Sequence, residues 1–464
     1  MEVVMSDKPI CAVSTPPGVG GIAVVRISGA EAIEVVDKIW RGKSLLTGES
    51  HTAHYGDILD AAGGILDSGV ATIFRAPRSY TGENTVELSI HGSRYIQQQL
   101  INTLVNVGCR VAEPGEFTKR AFANGNLDLA SAEAVADMIA SESKAAHAIA
   151  VRQMKGDYSK RLEELRSKLL DLASLLELEL DFSEEDVEFA SRKVLLDTAC
   201  QVKDTVSTLV DSFKKGSAIK NGVPVAIVGD PNAGKSTLLN ALIAEERALV
   251  SPISGTTRDT IEETIDIDGI RFRLIDTAGL RETDDTIERL GIERAKEKIA
   301  GAATVIWLVD GEKLSGANQG YIDQLLRQKE DIKYSMHPES KLIGVVNKIE
   351  LFTGEIPDVL QIDCEISAKE HNGIEELKNA LVEEARKGVP EETALVVTNA
   401  RHYESLLMAA ESLQAVIEGL QSGISGDFIA QDLRQVNHHL GAITGAITTT
   451  EILSTVFSRF CIGK

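Results

Sequence analysis

Eight residues constrain this chain more than any others. Gly229-Asp230-Pro231-Asn232-Ala233-Gly234-Lys235-Ser236 fits the pattern G-x-x-x-x-G-K-[ST]. It follows the apolar run Val223–Val228 and leads into a predicted helix, Ser236–Ala244, the strand–loop–helix setting the pattern requires. The glycines let backbone N–H groups curl around phosphate oxygens, and the helix N-terminus favours an anion. Lys235 is expected to reach the β- and γ-phosphates, and the Ser236 hydroxyl to sit on Mg²⁺.

Four further motifs follow in order. Gly255-Thr256-Thr257-Arg258-Asp259 lies where a switch segment must close over the metal. Asp276-Thr277-Ala278-Gly279 can hold Mg²⁺ through water while the Gly279 N–H meets the γ-phosphate. Asn347-Lys348-Ile349-Glu350 ends the apolar run Leu342–Val346, where a base-reading N-K-x-D belongs. Ser367-Ala368-Lys369 ends the next, where a guanine-contacting loop belongs. Together the set resembles the translation-factor-like GTPases. It predicts a GTP site built from Asn232, Ala233, Gly234, Lys235, Ser236 and Thr237, from Ser251, Pro252, Ile253, Ser254, Gly255, Thr256 and Thr257, from Asp276, Thr277, Ala278 and Gly279, and from Asn347, Lys348, Glu350, Ser367, Ala368 and Lys369.

Two departures affect the chemistry. Glu350 stands where Asp is usual; its carboxylate still accepts from guanine N1–H and N2–H, so selectivity for GTP is expected to survive with weaker affinity. Leu280 stands where many GTPases place a water-orienting Gln. The acids Glu282, Asp284, Asp285 and Glu288 follow, and any one of them alone reads as a solvated loop carboxylate. Arg258 and Arg281 are either candidate arginine fingers or surface residues. A finger supplies ~10³–10⁵ in rate, so another charge must replace it. Asn232 either caps a turn or gives a carbonyl oxygen to K⁺ beside the phosphates, with carbonyls of 251–256 completing the shell.

Composition bounds the rest. The chain has 464 residues, 43% hydrophobic and 25% charged, which suits about three soluble domains of ~100–200 residues. Its 70 acidic and 48 basic residues give a net charge of −22. Bulk electrostatic binding to nucleic acid is therefore excluded, because that mode needs Lys and Arg to displace counterions. Aromatics at 4% argue against a base-stacking platform. Five scattered cysteines, with no C-x-x-C, predict neither a disulfide framework nor a Cys-based zinc site. His438 and His439 read as surface and packing residues. No apolar run approaches ~20 residues, so no membrane partner is expected. No targeting signal is visible at residues 1–10, so cytoplasmic location is the expectation.

Residues 1–127 alternate strand-like runs (Ile22–Ile27, Val70–Phe74, Thr85–Ile90) with helical stretches (Glu31–Ile39, Arg94–Val105), predicting an α+β domain. Residues 128–222 nearly lose Gly and hold no Pro, and Leu162, Leu165, Leu169, Leu172 and Leu176 fall at 3-4 spacing on one helical face. That stripe reads as the core of a helical bundle. Residues 223–380 alternate apolar strands with helices, predicting a mostly parallel α/β sheet. Residues 381–464 return to helix, so the α/β domain is expected to be inserted into a discontinuous helical bundle.

The termini add Thr15-Pro-Pro-Gly-Val-Gly-Gly21 running on to Ser28-Gly29, then Glu113–Phe122 (EPGEFTKRAF), Leu127–Ala134 (LDLASAEA) and Cys461-Ile-Gly-Lys464. By itself the tail reads as a frayed terminus with an inert Cys461, or as a reactive thiol. With the GTPase motifs, these segments resemble the MnmE (TrmE) family of bacterial tRNA modification GTPases over essentially the whole chain. The resemblance implies a folate-binding and dimerising α+β domain, a discontinuous helical domain and an inserted Ras-like G domain. It implies a homodimer that works with the flavoprotein MnmG, in a heterotetramer-type complex, to add an aminomethyl-type group at C5 of the wobble uridine of certain tRNAs. The implied cofactors are GTP, Mg²⁺, K⁺ and 5-formyl- or methylene-tetrahydrofolate. Matched by position, folate would meet Arg26, Glu87, Asn126 and Lys464. The family often has a basic residue where Asn126 stands. K⁺ would meet Asn232, Ser251, Ile253 and Thr256; Mg²⁺ would meet Ser236 and Thr257. Glu288 would orient water, Lys235 would serve catalysis at the phosphates, and Cys461 would serve the modification reaction. The acidic charge suggests that the flavoprotein supplies much of the tRNA grip. A ribosome-assembly GTPase of the Era or Der type is the alternative, although the basic RNA-binding module with a GXXG loop that such proteins carry is not found.

Overall fold

The computed structural model describes residues 8–181, 192–247, 262–276, 296–388, 395–458, 460 and 462–463. The chain forms two compact units, each discontinuous in sequence: residues 1–139, 150–204 and 405–464 form one, and residues 140–149 and 205–404 the other.

The first unit holds a seven-stranded sheet of β1 (Ile10–Val13), β2 (Gly20–Ser28), β3 (Trp40–Arg41), β4 (Thr52–Leu59), β5 (Ile65–Phe74), β6 (Thr85–Gly92) and β7 (Arg110–Val111). Their order is β3-β4-β5-β6-β2-β1-β7, and every pair is antiparallel except β1–β7. Antiparallel strands with one covered face should alternate buried and exposed side chains. Accordingly Ala23, Val25 and Ile27 of β2 and Val86, Leu88 and Ile90 of β6 join one core with Ile33, Val36, Leu100 and Leu104 from the helices Ala32–Asp37 and Arg94–Asn106. The period of two then turns Arg26 and Glu87 to the opposite face, directly across from each other in register.

The leucine stripe sits on the helix Asp157–Asp181, and all five leucines are buried. That helix packs along Gly426–Thr444, which buries Ile429, Leu433, Val436 and Leu440 at the same spacing. Near the C-terminus, Leu453, Val456, Phe457 and Phe460 pack on Leu129 and Ala132. Gly463 accepts a hydrogen bond from Ser14 Oγ at 3.0 Å. Phe460 and Gly463 are thus docked on the first unit, whereas Cys461 and Lys464 lie outside the described residues.

The second unit is built on a six-stranded sheet: β8 (Val223–Gly229), β9 (Glu262–Ile267), β10 (Ile270–Asp276), β11 (Thr304–Asp310), β12 (Lys341–Asn347) and β13 (Cys364–Glu365). The order β13-β12-β11-β8-β10-β9 is parallel except for the β9–β10 hairpin. All seven residues of β11 are buried, as a central strand covered on both faces requires. Two cores result. One joins Val225, Ile227, Phe272 and Leu274 with the helices Lys235–Arg247 and Ile374–Gly388; the other joins Val305, Trp307 and Val309 with Gln319–Ser335. The chain leaves β8 to pair on one side with β10 and on the other with β11. In open α/β sheets, such a reversal opens a ligand crevice at the carboxyl ends of the strands.

Candidate functional site

The loop after β8 occupies that crevice. Gly229 (φ +151°) passes so close to β11 that a Cβ would lie 2.2 Å from the Leu308 carbonyl oxygen. Gly234 (φ +97°) leaves 2.2 Å between an added Cβ and Asn347 Nδ2. Both positions therefore exclude a side chain, and Asn232 takes the left-handed region between them at φ +68°. Lys235 folds back over the loop, its ammonium donating to the carbonyls of Gly229 and Asp230 at 2.9 Å each. Leu238 N–H bonds Gly234 O at 2.8 Å, which closes the first helical turn and leaves Ser236 and Thr237 exposed at the helix start. Asn232 is exposed, at the third position of the turn that the Ala233 N–H closes on the Asp230 carbonyl at 3.2 Å.

Asn347, at the end of β12, ties the loops together. It is 2% exposed; its Nδ2 donates to Ala233 O at 2.8 Å, and its Oδ1 accepts from Ala368 N–H at 2.9 Å. One side chain thus links the phosphate loop to the segment Ser367–Lys369. That segment is pinched by paired backbone bonds between Ser367 and Asn372, and Ser367 Oγ accepts from Glu370 N–H. Ser367 and Ala368 are buried, while Lys369 is exposed. Lys348 sits in the left-handed region (φ +63°) and binds Asp310 Oδ2 at 2.7 Å, with Glu312 at 3.6 Å. The hydrogen bond to Asp310, then the charges of Asp310 and Glu312, push the Lys348 ammonium up despite burial. Glu350 is exposed in the short 3₁₀ turn Ile349–Leu351.

The β10 backbone carries Asp276 to the same end of the sheet, in register with Ile227 of β8. Ser251, Pro252, Ile253, Ser254, Gly255, Thr256, Thr257, Thr277, Ala278, Gly279 and Glu288 lie outside the described residues. Asp310 escaped the sequence reading. The one available signal was an acid at the end of an apolar strand.

In the first unit, Arg26 Nε donates to Glu87 Oε1 at 2.8 Å across β2 and β6. The guanidinium lies 5.4 Å from the Tyr80 ring and 5.7 Å from the Phe117 ring, within cation–π range. Tyr80 bonds Thr118 through its hydroxyl at 2.9 Å, and burial pushes that phenol up. Beneath these groups Arg120, 1% exposed, bonds both Glu83 oxygens and Glu116. Burial pushes the Glu116 carboxyl up, but the Arg110 hydrogen bond, the Glu113 N–H and the two arginine charges outweigh it and hold the group low. Asn126 is exposed and donates its amide to the carbonyls of Ser79 and Tyr80, clamping the loop that carries Tyr80. The sequence reading named Arg26 and Glu87 but not Tyr80 and Phe117, because only the folded sheet brings these rings over Arg26.

A glycine-cradled loop between β8 and a helix, an Asn bridging it to a second strand-end loop and this strand order together define a P-loop GTPase. The model described as "GTP-binding protein TrmE N-terminus" matches residues 9–126, and that described as "MnmE helical domain" matches residues 129–461. The chain is 47% identical to the tRNA modification GTPase MnmE of Christiangramia forsetii, over 99% of each sequence. It is 48% identical to that of Porphyromonas gingivalis, over 98% of each. The G domain of the T. maritima FeoB iron transporter is 26% identical, with TM-score 0.26, over 35% of this chain and 98% of that one. The chain belongs to the MnmE (TrmE) family. Among the described residues no helix is long and apolar enough to cross a membrane.

Proposed function

We propose that this chain is the GTP-hydrolysing subunit of a complex that modifies C5 of the wobble uridine in certain tRNAs. The observation that carries this reading is the Asn347 bridge. It joins a phosphate-binding loop to a base-side loop, in a chain similar throughout its length to tRNA modification GTPases. Lys235 and the N–H groups opening the helix at 235–247 hold the β- and γ-phosphates. Asn347, Lys348 and Glu350, with Ser367–Lys369, read the base. Ser236 fits a Mg²⁺ ligand by its exposed hydroxyl at the helix start, with Thr257 as the second ligand; Mg²⁺ there would neutralise charge on the phosphates. Asn232 fits a K⁺ ligand, being exposed in the loop between Gly229 and Gly234 with an amide oxygen to offer. Ser251, Ile253 and Thr256 would complete a K⁺ shell whose charge replaces an arginine finger. Glu288 orients the attacking water.

The pairing of Arg26 with Glu87 supports a folate reading. It offers an N–H fork and a carboxylate, partly exposed and flanked by two rings. Such a set suits a flat heterocycle with amide-like edges, and the tetrahydrofolate would supply the one-carbon unit. Asn126, a loop clamp, adds no charge to that site, and Lys464 would supply one. Cys461 would serve the modification reaction. The divisions 1–127, 128–222, 223–380 and 381–464 are proposed as domain limits. Dimerisation through the first of these, the flavoprotein MnmG as partner, tRNA as substrate and a cytoplasmic site of action complete the reading.

The test is mass spectrometry of tRNA nucleosides from cells in which Lys235→Ala or Cys461→Ser replaces the native chain. Loss of the C5-aminomethyl-type uridines in both is the expected result. Persistence in both would refute the reading and restore the ribosome-assembly alternative.

A further inference from the structure

Asp230 places a carboxylate inside a loop whose task is to bind phosphate. Its backbone carbonyl accepts from both Lys235 Nζ and Ala233 N–H, so the residue also anchors the loop and its lysine. The carboxylate is turned to the helix Gln319–Ser335. There Gln328 Nε2 donates to Oδ1 at 3.1 Å, the Tyr321 hydroxyl donates to Oδ2 at 3.5 Å, and Lys313 Nζ stands 4.0 Å away. A glutamine amide could present either end to Asp230, and only the NH₂ end attracts a carboxylate. Trp307 settles the choice. Its indole N–H, a donor only, bonds Gln328 Oε1 at 3.1 Å. Trp307 is fully buried in β11, so this donor is fixed by the sheet itself. Burial, then the charges of Asp230 and Asp310, push the Tyr321 phenol up to about 12, which keeps it a donor at any working pH.

We infer that Gln328 is a positioning residue for the nucleotide: oriented by Trp307, it holds the Asp230 carboxylate away from the phosphates. Without that bond the carboxylate keeps only the 3.5 Å Tyr321 contact and the Lys313 ammonium at 4.0 Å, so it swings more readily toward the loop, where its charge opposes the incoming phosphates, and the carbonyl that anchors Lys235 shifts with it.

The inference rests on the loop being the GTP site, and the experiment separates the two. Full-length chains are titrated with a fluorescent GDP analogue and assayed for GTP hydrolysis. Failure of the wild type to bind refutes the site itself. If the wild type binds, Gln328→Leu is expected to weaken affinity at least about tenfold, the size a hydrogen bond to a charged group supports. The weakening should appear in KM more than in kcat; the melting temperature falls as well, because the buried Trp307 indole N–H loses its acceptor, and that fall should persist when Asp230→Asn is also present. Asp230→Asn removes the charge that Gln328 restrains. Adding Gln328→Leu to Asp230→Asn is therefore expected to cost less than about twofold. If Gln328→Leu costs the same affinity with and without Asp230→Asn, Gln328 is merely structural and the inference is overturned. Unchanged affinity in Gln328→Leu alone would overturn it as well.

Discussion

Replacing Asn347 with Ala removes one side chain and breaks two connections. The carbonyl of Ala233 and the N–H of Ala368 lose their partner, and both residues are at most 2% exposed. An orphaned buried polar group costs ~1–3 kcal/mol, so two set a ceiling of about 6 kcal/mol. The space left by an amide is about that of one water, which can bond both groups. That brings the expected loss to roughly 2 kcal/mol, or about 30-fold in an equilibrium constant. The bridge ties two strand-end loops of the folded chain together and also shapes the site, so the loss divides between folding stability and GDP affinity. Asn347→Asp separates the two halves. It keeps an acceptor for Ala368 N–H but sets a carboxylate against the Ala233 carbonyl, so the phosphate loop alone should suffer. The assays are titration with a fluorescent GDP analogue, thermal unfolding and hydrogen exchange at Ala368 N–H. Asn347→Ala should lose exchange protection there, and Asn347→Asp should keep it. If Asn347→Ala binds and melts like the wild type with Ala368 still protected, the bridge does not organise the site.

Glu350→Asp shortens the carboxylate proposed to read the base by one methylene and is expected to tighten GTP binding a few-fold, within the ~1–3 kcal/mol one methylene commands. Displacement of GTP by ATP at similar concentration in the wild type would refute that role for Glu350. Glu116 is held below the ordinary glutamate value, so its contribution to stability is complete above that ordinary value and is lost as pH falls from there through the lowered value of the folded state. Glu116→Gln should therefore flatten the acid limb of a melting-temperature profile, and an unchanged limb would contradict the assignment. Gly463→Ala sets a Cβ 2.4 Å from the Val13 carbonyl oxygen at φ +100° and should undock the tail. Nucleoside mass spectrometry is expected to show loss of wobble modification while GTP hydrolysis by the isolated chain stays within about twofold. Equal loss of both activities would be inconsistent with a role confined to the tail.

The pattern of residues along the chain determined the strands, their loops and the class of chemistry, because local spacing controls these. A glycine-rich octet between an apolar run and a helix, an N-K-x-E at a strand end and leucines at 3-4 spacing each carry their meaning within a dozen positions. Arg26 and Glu87 were named through the family resemblance alone, and their ion pair depends on β2 and β6 being neighbours in the sheet. Contacts that span the sheet were not legible. Asn347 meets Ala233 across 114 positions, and Gln328 meets Asp230 across 98. Whether such side chains touch depends on strand order, register and rotamer, none of which leaves a periodic trace. The tail shows the same limit from the other side. By composition CIGK is a terminus free to fray, yet Phe460 is buried and Gly463, in a conformation few other residues adopt, lies against Val13 and Ser14. Only the folded sheet supplies that surface, so only the tertiary structure decided where Phe460 and Gly463 dock.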